Sequence, residues 1–223
     1  MNSALGALFD WDGIVIDSSA QHERSWEQLA QEIHQPLPDD SFRRGFGMKN
    51  QAIIPNILGW SQEPQEIEQL GQRKEEIYRE MVLNEGIMPL PGVMSTLEFL
   101  QDRAVPCCIA SSTPRQNIDF ILDVIGVGQY FDAIVAAEDV SQGKPDPEVF
   151  LQSARRIKRP PGNCVVFEDA LMGIQAGQAA GCKVIAVATT HSIGELGHAD
   201  LALQSLDELS WKVFSSLMCR EMA

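Results

Sequence analysis

Two aspartates near the start of the chain have the spacing needed for group-transfer chemistry. Asp10 and Asp12 directly follow a short apolar run, flank Trp11 and precede Gly13. In an extended segment, side chains two positions apart fall on the same side, so one carboxylate can attack while the other handles a proton. An Asp-x-Asp-Gly sequence is also typical of a solvated turn. The pair alone therefore leaves both interpretations open.

Residues suited to holding a phosphate follow two further apolar runs. Ser111, Ser112 and Thr113 stand just before Pro114, where hydroxyl groups and free backbone N–H groups can bind an anion at a helix start. Lys144 lies in the sequence GKPDPE, where its ammonium group can neutralise phosphate charge. Taken singly, the hydroxyl cluster is more often a helix cap, and a loop lysine usually faces solvent.

Two acidic residues end another apolar run. Glu168 and Asp169 directly follow the hydrophobic sequence CVVF. Mg²⁺ binds to a few carboxylates in octahedral geometry and keeps several waters, so this pair predicts a magnesium site. Gly173 and Gly177 give the next helix a small-residue face, which lets it lie close to a sheet.

The apolar runs predict the elements that position these residues. Their length and flanking residues are typical of strands buried on both faces. The predicted strands are Ala4 to Phe9, Val105 to Ala110, Ala133 to Ala137, Cys164 to Phe167 and Lys183 to Ala188. Helical patterns alternate with them, which predicts an α/β fold with a Rossmann-like parallel sheet and helices on both faces. Such sheets bind ligands beyond the carboxyl ends of the strands, where we expect the polar residues to meet.

The first two predicted strands are separated by about 95 residues, far more than a simple crossover needs. Apolar residues at helical spacing fill this insert, among them Trp26, Leu29 and Ile33, and later Ile67 and Ile77. The sequence therefore predicts a small all-helical cap domain at 17–87, inserted into a core domain formed by 1–16 and 88–223.

Composition restricts the partners. The net charge of −14 disfavours binding to nucleic acid and anionic membranes, and it also opposes an anionic substrate unless a cation or local basic groups are present. No apolar stretch has the length of a bilayer span. Cys107, Cys108 and Cys164 lie in apolar runs and are predicted to be buried free thiols of a reducing compartment. We expect a cytoplasmic protein, or one of an organelle interior if a transit peptide has been removed.

Together, the motifs FDWDG, ASS, GKPDPEVF and FEDALMGIQAGQAAG resemble those of the haloacid-dehalogenase superfamily, in the phosphatase group similar to β-phosphoglucomutase. The resemblance covers essentially the whole chain. It implies that Asp10 is a nucleophile forming an aspartyl-phosphate and that Asp12 is its acid and base. It also implies that Mg²⁺ is held by Asp10, the backbone carbonyl of Asp12 and Asp169, with Glu168 nearby.

The same resemblance assigns the remaining core residues. Ser111, Ser112 and Lys144 would bind the transferring phosphoryl group. Dehalogenases attack carbon and need neither a metal nor the second aspartate, so Asp12 together with Glu168 and Asp169 favours phosphoryl transfer.

Within the insert, the resemblance implies a cap that closes over the site and selects the substrate. His22 and Trp26 match cap positions of the mutase-like group, although Trp26 also fits a core position. Lys74 aligns with a cap lysine, and on an apolar stripe it either snorkels to solvent or faces the substrate.

Lys49 stands where the mutase has an arginine that grips the distal phosphate of its substrate. A point charge there replaces a fork-shaped donor. Arg43, Arg44 or Arg115 are alternative donors for that phosphate.

The leading interpretation is a magnesium-dependent phosphatase that hydrolyses a small phosphorylated metabolite, such as a sugar phosphate. The alternative within the group is a phosphohexomutase, and the alternative of another class is a catalytically silent binding module. A monomer is expected, with oligomerisation left open.

Overall fold

The computed structural model describes residues 5–45 and 48–218, and its central element is a parallel sheet. The described strands are β1 (Gly6–Phe9), β2 (Cys107–Ala110), β3 (Ala133–Val135), β4 (Cys164–Glu168), β5 (Lys183–Val187) and β6 (Leu201–Leu203). Their order is β3-β2-β1-β4-β5-β6, and every neighbouring pair is parallel. The strand order therefore reverses beside β1 and β4, which opens a crevice at their carboxyl ends.

Helices occupy about half of the remaining described chain. They are α1 (Ser19–Glu32), α2 (Ser41–Gly45), α3 (Asn50–Ile53), α4 (Pro64–Glu85), α5 (Val93–Gln101), α6 (Arg115–Ile125), α7 (Glu148–Arg156), α8 (Leu171–Ala179) and α9 (Trp211–Met218). A π-helical turn at Ile54–Leu58 follows α3. Pro64 opens the first turn of α4, and Gly86 ends that helix at a φ of 78° that favours glycine.

The chain divides into two compact units. One comprises the residues up to Asp17 together with those from Met88 onward, and the other is Ser18–Ile87. The Rossmann-like α/β fold expected from the strand and helix pattern is confirmed in the first unit, and the second is helical.

Both faces of the sheet are covered by helices. Since side chains alternate along a strand, Leu8 and Val166 share one face, where they pack with Phe150 of α7 and Ile174 of α8. On the other face, the ring of Phe167 stacks on Phe214 of α9, with 6.2 Å between ring centroids. A sheet buried on both sides explains why its strands are uniformly apolar.

The helical unit has its own apolar core. Trp26 and Leu29 of α1 pack with Ile67 and Ile77 of α4, and Ile54 joins them. Trp26, Leu29, Ile67 and Ile77 belong to the two predicted stripes, whereas Ile54 was not part of either. None of the described helices combines the length and apolar character that crossing a bilayer requires.

Several predicted strand boundaries are wrong. The second strand starts at Cys107 because Pro106 has no N–H for the ladder, although its carbonyl accepts a hydrogen bond from Ala7. The third strand ends at Val135, and Ala137–Asp139 forms a 3-10 turn in which the Asp139 carboxylate accepts from the Ala136 N–H. The fifth stops at Val187 rather than Ala188.

The fourth strand includes Glu168, one residue beyond its apolar run. Ala4, predicted to open the first strand, lies outside the described residues.

Candidate active site

Asp10 and Glu168 come together because their strands end in register. Phe9 of β1 pairs with Phe167 of β4, and the Asp10 N–H donates to the Phe167 carbonyl at 2.9 Å. The ladder thus continues one residue past β1. It delivers the carboxylate of Asp10 beside that of Glu168, at the crevice where strand order reverses.

Lys144 joins the two carboxylates. Its Nζ lies 2.7 Å from Asp10 Oδ1 and 2.5 Å from Glu168 Oε1, and its side chain is only 8% exposed. Burial acts to lower the pKa of Lys144, but the charges of Asp10 and Glu168 hold it above its usual value. The lysine is therefore a permanent cation at this edge of the sheet.

Glu168 is held on both of its carboxylate oxygens. Oε1 accepts from Lys144, and Oε2 accepts from the backbone N–H groups of Asp169 and Ala170 at 3.0 and 2.9 Å. The carboxylate lies against Gly173 of α8, where an added Cβ would stand 1.8 Å from Oε1. These contacts make Glu168 an anchor for Lys144.

Three carboxylates form a cluster that suits a divalent ion. Asp10, Glu168 and Asp169 each place one oxygen within 4.8 Å of the others. Burial raises the pKa of Asp10 to about 7. The charge of Lys144 opposes this rise, and the charges of Glu168 and Asp12 add to it. Burial and the charges of Glu168 and Asp10 raise the pKa of Asp169 well above its usual value. Crowded buried carboxylates of this kind fit Mg²⁺, which binds oxygen ligands and supplies the opposing charge.

Asp12 is oriented by the loop that follows β2. Its Oδ2 accepts a hydrogen bond from Thr113 Oγ1 at 2.5 Å, and the Thr113 N–H donates to Ser111 Oγ at 3.0 Å. Among the described residues, the carboxylate cluster does not include the Asp12 side chain. The predicted metal contact of Asp12 is thus left to its backbone carbonyl, as the resemblance implies.

The predicted phosphate-binding serines lie in the same loop. Ser111 is buried directly after β2, and Ser112 is half-buried next to it. The structure brings Asp10, Asp12, Lys144, Glu168 and Asp169 to the carboxyl edge of the sheet, and β2 delivers the serines to that same edge.

In the helical unit, Lys74 forms a buried network. Its Nζ lies 2.5 Å from His22 Nδ1 and 3.0 Å from Glu75 Oε1, and the His22 ring stacks on Tyr78. Lys74 is 2% exposed, so it does not snorkel to solvent. Burial acts to raise the pKa of Glu75, but the charges of Lys74 and His22 and a hydrogen bond from Asn50 bring it below its usual value.

The other predicted substrate residues have different environments. Trp26 is a core residue of the helical unit, and its ring faces Lys74 Nζ at 5.4 Å. Lys49 is half-buried just before α3. Arg115 is the first residue of α6, in the α/β unit, and its Nε donates to Asp119 at 2.8 Å. Arg43 and Arg44 are exposed in α2.

Two hydroxyl residues of the site were not among the predicted site residues. Thr113 stands in the SST cluster, whose hydroxyls were expected to bind phosphate, and it contacts Asp12 instead. Thr190 follows β5 and donates to Asp169 Oδ2. Thr189 and Thr190 directly follow an apolar run, as several of the predicted site residues do. This pattern could have identified Thr190 from the sequence.

Known proteins are similar to this chain in sequence and fold. The family model for haloacid dehalogenase-like hydrolases matches residues 5–181. The 5-amino-6-(5-phospho-D-ribitylamino)uracil phosphatase of Arabidopsis thaliana, named chloroplastic, is 38% identical over 92% of this chain, and the chain spans 56% of that relative. Hexitol phosphatase A of Escherichia coli is 32% identical over 92% of this chain and 93% of its own length.

A solved structure shows the same fold. The β-phosphoglucomutase of Clostridium difficile has a TM-score of 0.86, with 24% identity, over 97% of this chain and 98% of its own. The family match, the phosphatase relatives and this fold agree with the strand-end motifs. The chain belongs to the haloacid dehalogenase-like hydrolase family, as an enzyme of its β-phosphoglucomutase-like phosphatase group.

Proposed function

We propose that this enzyme is a magnesium-dependent phosphatase that hydrolyses a small phosphorylated metabolite through an aspartyl-phosphate on Asp10. The observation that carries the proposal is the convergence of Asp10, Lys144, Glu168 and Asp169 at the reversal of strand order. A nucleophile beside a fixed cation and a set of metal-ligating carboxylates is an arrangement for phosphoryl transfer.

In the first step, a carboxylate oxygen of Asp10 attacks phosphorus and the ester P–O bond breaks. Asp12, held by Thr113, gives its proton to the leaving alkoxide. In the second step, Asp12 takes a proton from water as the water oxygen attacks phosphorus. The bond from Asp10 to phosphorus then breaks and inorganic phosphate leaves.

The cations of the site neutralise the phosphoryl group. Lys144 stands 2.7 Å from Asp10 Oδ1, so its charge lies beside the attacking carboxylate. Asp10 and Asp169, with the backbone carbonyl of Asp12, would hold Mg²⁺, which stabilises negative charge on the phosphoryl oxygens when it is bound. Ser111 and Ser112 would donate hydrogen bonds to those oxygens.

For the substrate, we propose a phosphorylated sugar or sugar alcohol. The names of the two relatives specify a phosphorylated ribityl chain and a hexitol. In the helical unit, Lys74 is already paired with Glu75. In Lys49 the chain has a point charge rather than the fork-shaped donor of the mutase.

The test is hydrolysis by purified wild-type enzyme and by Asp10→Asn. The substrates are hexitol phosphates, hexose phosphates, a phosphorylated ribityl compound and an aryl phosphate, with and without MgCl₂. Wild-type enzyme should release phosphate only with Mg²⁺. After a rapid quench, its intact mass should show one added phosphoryl group. Asp10→Asn should do neither, because an amide does not attack phosphorus.

The control variant is Asp123→Asn, an exposed aspartate of α6, which should keep full activity. Substantial turnover by Asp10→Asn would exclude covalent catalysis at that residue. If glucose 1-phosphate with a bisphosphate primer gave glucose 6-phosphate without phosphate release, the enzyme would be a mutase instead.

A further inference from the structure

Thr190 reaches the site from the turn that follows β5. The Ala188 N–H donates to the Leu203 carbonyl of β6, and the Thr189 N–H donates to the Val187 carbonyl, each at 2.9 Å. This tight turn places Thr190 beside the end of β4, where its hydroxyl donates to Asp169 Oδ2. Residues 21 positions apart in the chain are thereby joined by side chains.

Asp169 Oδ2 is enclosed on a second side by the backbone of Gly13. An added Cβ on Gly13 would stand 2.0 Å from Oδ2 and 3.1 Å from Oδ1, and the φ of 82° there also favours glycine. Within residues 5–45 and 48–218, the Asp169 carboxylate accepts a hydrogen bond from the Thr190 hydroxyl at Oδ2. With Oδ2 engaged in this way, we expect Oδ1 to face a bound metal.

The neighbouring charges act against this orientation. Asp169 is 1% exposed, and its carboxylate lies in a cluster with those of Glu168 and Asp10, each placing one oxygen within 4.8 Å of the others. In the absence of a cation, like charges favour rotation of the carboxylate away from the cluster. A hydroxyl donor on Oδ2 opposes that rotation while leaving Oδ1 in place. Outer hydrogen-bonding partners of metal ligands have this effect in general.

We propose that Thr190 is a positioning residue that fixes the carboxylate of Asp169 for Mg²⁺ binding. The inference rests on the proposed function, since it concerns the same metal. Thr190 itself is an exposed residue on a surface turn. Its side chain therefore acts through Asp169 and has little part in the core of the fold.

The experiment is calorimetric titration of MgCl₂ into metal-free, full-length protein, compared across four chains. Thr190→Val keeps the size of the side chain but removes the donor, so its Mg²⁺ dissociation constant should rise about tenfold. Thr190→Ser keeps the hydroxyl and should stay within about twofold of wild type. Thr189→Val, at the exposed neighbour in the same turn, should match wild type.

Thermal melting in the absence of Mg²⁺ should show the same midpoint for all four chains. The inference is overturned if Thr190→Val binds Mg²⁺ as wild type does, or if Thr190→Ser or Thr189→Val loses as much affinity as Thr190→Val. Those results leave the proposed function standing. Wild-type hydrolysis that is unchanged after chelation of the metal would overturn the proposed function itself.

Discussion

Lys144 and Glu168 show how a single buried ion pair can organise an active site. Glu168 accepts from two backbone N–H groups on one oxygen and from Lys144 on the other. A carboxylate satisfied in this way tolerates burial, because every charge has a hydrogen-bonding partner. Lys144 is thereby fixed beside Asp10, whereas an exposed lysine would sample many rotamers. Under the proposed function, the charge that balances the phosphoryl group is in place before substrate binds.

Thr113 has the corresponding role for Asp12, and its removal tests the acid and base assignment. Thr113→Val deletes the donor to Asp12 Oδ2. Under the proposed function, the carboxylate then loses the contact that would orient it toward the leaving group. We expect kcat for phosphate release to fall about 100-fold, the lower range for general acid and base catalysis, with KM nearly unchanged. Steady-state assay on the best substrate of the panel measures both constants.

The control for this prediction is Thr113→Ser, which retains a hydroxyl at the same position and should keep most of kcat. The backbone N–H of residue 113 still donates to Ser111 Oγ in both variants, so the loop has the same anchor. An equal loss of kcat in the valine and serine variants would show that the loss cannot be assigned to the missing hydroxyl donor to Asp12.

At the scale of elements, α8 is placed by glycines. An added Cβ on Gly177 would stand 2.9 Å from Val184 and 3.3 Å from Val166, so the helix lies closely on β4 and β5. This agrees with the small-residue face expected from the sequence. Gly173 has a different neighbour, the carboxylate of Glu168. Helix α8 therefore packs against the sheet at Gly177, and at Gly173 it leaves room for the carboxylate of Glu168, which anchors Lys144.

Gly173→Ala should damage the site more than the fold. Its Cβ would stand 1.8 Å from Glu168 Oε1, so the carboxylate must shift away from Lys144 or α8 must move. Overpacking of this kind costs about 1 to 3 kcal/mol of unfolding free energy. We expect urea unfolding to show a loss in that range, and phosphatase kcat to fall about tenfold or more as Lys144 loses its partner.

Gly162→Ala is the matched control for this substitution. The nearest heavy atom to an added Cβ at Gly162 is 3.9 Å away, which is ordinary contact. That variant should match wild type in both unfolding and turnover. If Gly173→Ala were equally neutral, the Glu168 carboxylate would be free to move without consequence, and its role as an anchor would be wrong.

The elements that the sequence predicted well are those whose burial is uniform. Apolar runs such as CVVF mark strands covered on both faces, and their polar ends identify the site edge. The edge strand Leu201–Leu203 was missed because its apolar run is only three residues long, whereas the run that contains the equally short β3 continues to Ala137. Thr190 was missed although it follows an apolar run, because its contact with Asp169 depends on how the turn after β5 folds back.

At the scale of the whole molecule, the net charge opposes binding of the proposed anionic substrate. A net charge of −14 repels an anionic substrate at long range, and the carboxylates of the site add to that repulsion. Lys144 and a bound divalent ion would reverse the sign of the potential locally. The chain thus depends on its metal for attraction as well as for catalysis under the proposed function.

The location of the protein stays a prediction, cytoplasm or organelle interior, and one relative is named chloroplastic.

Buried thiols offer a measure of how the α/β unit opens as a whole. Cys107, Cys108, Cys164 and Cys182 are at most 5% exposed, and burial raises the pKa of Cys108 to about 11 and those of Cys164 and Cys182 to about 12. Because the thiolate is the reactive form, iodoacetamide at pH 8 should label these four slowly in native buffer and rapidly in urea.

Peptide mass spectrometry separates the four thiols from Cys219, which lies outside the described residues. Cys108 lies on β2 and Cys164 on β4, so both become accessible only when strands separate. The native labelling rates of all four should then converge on one value set by global unfolding, and wild-type protein in urea is the fully reactive control. One of the four reacting in native buffer as fast as in urea would show that its segment opens independently of the rest of the α/β unit.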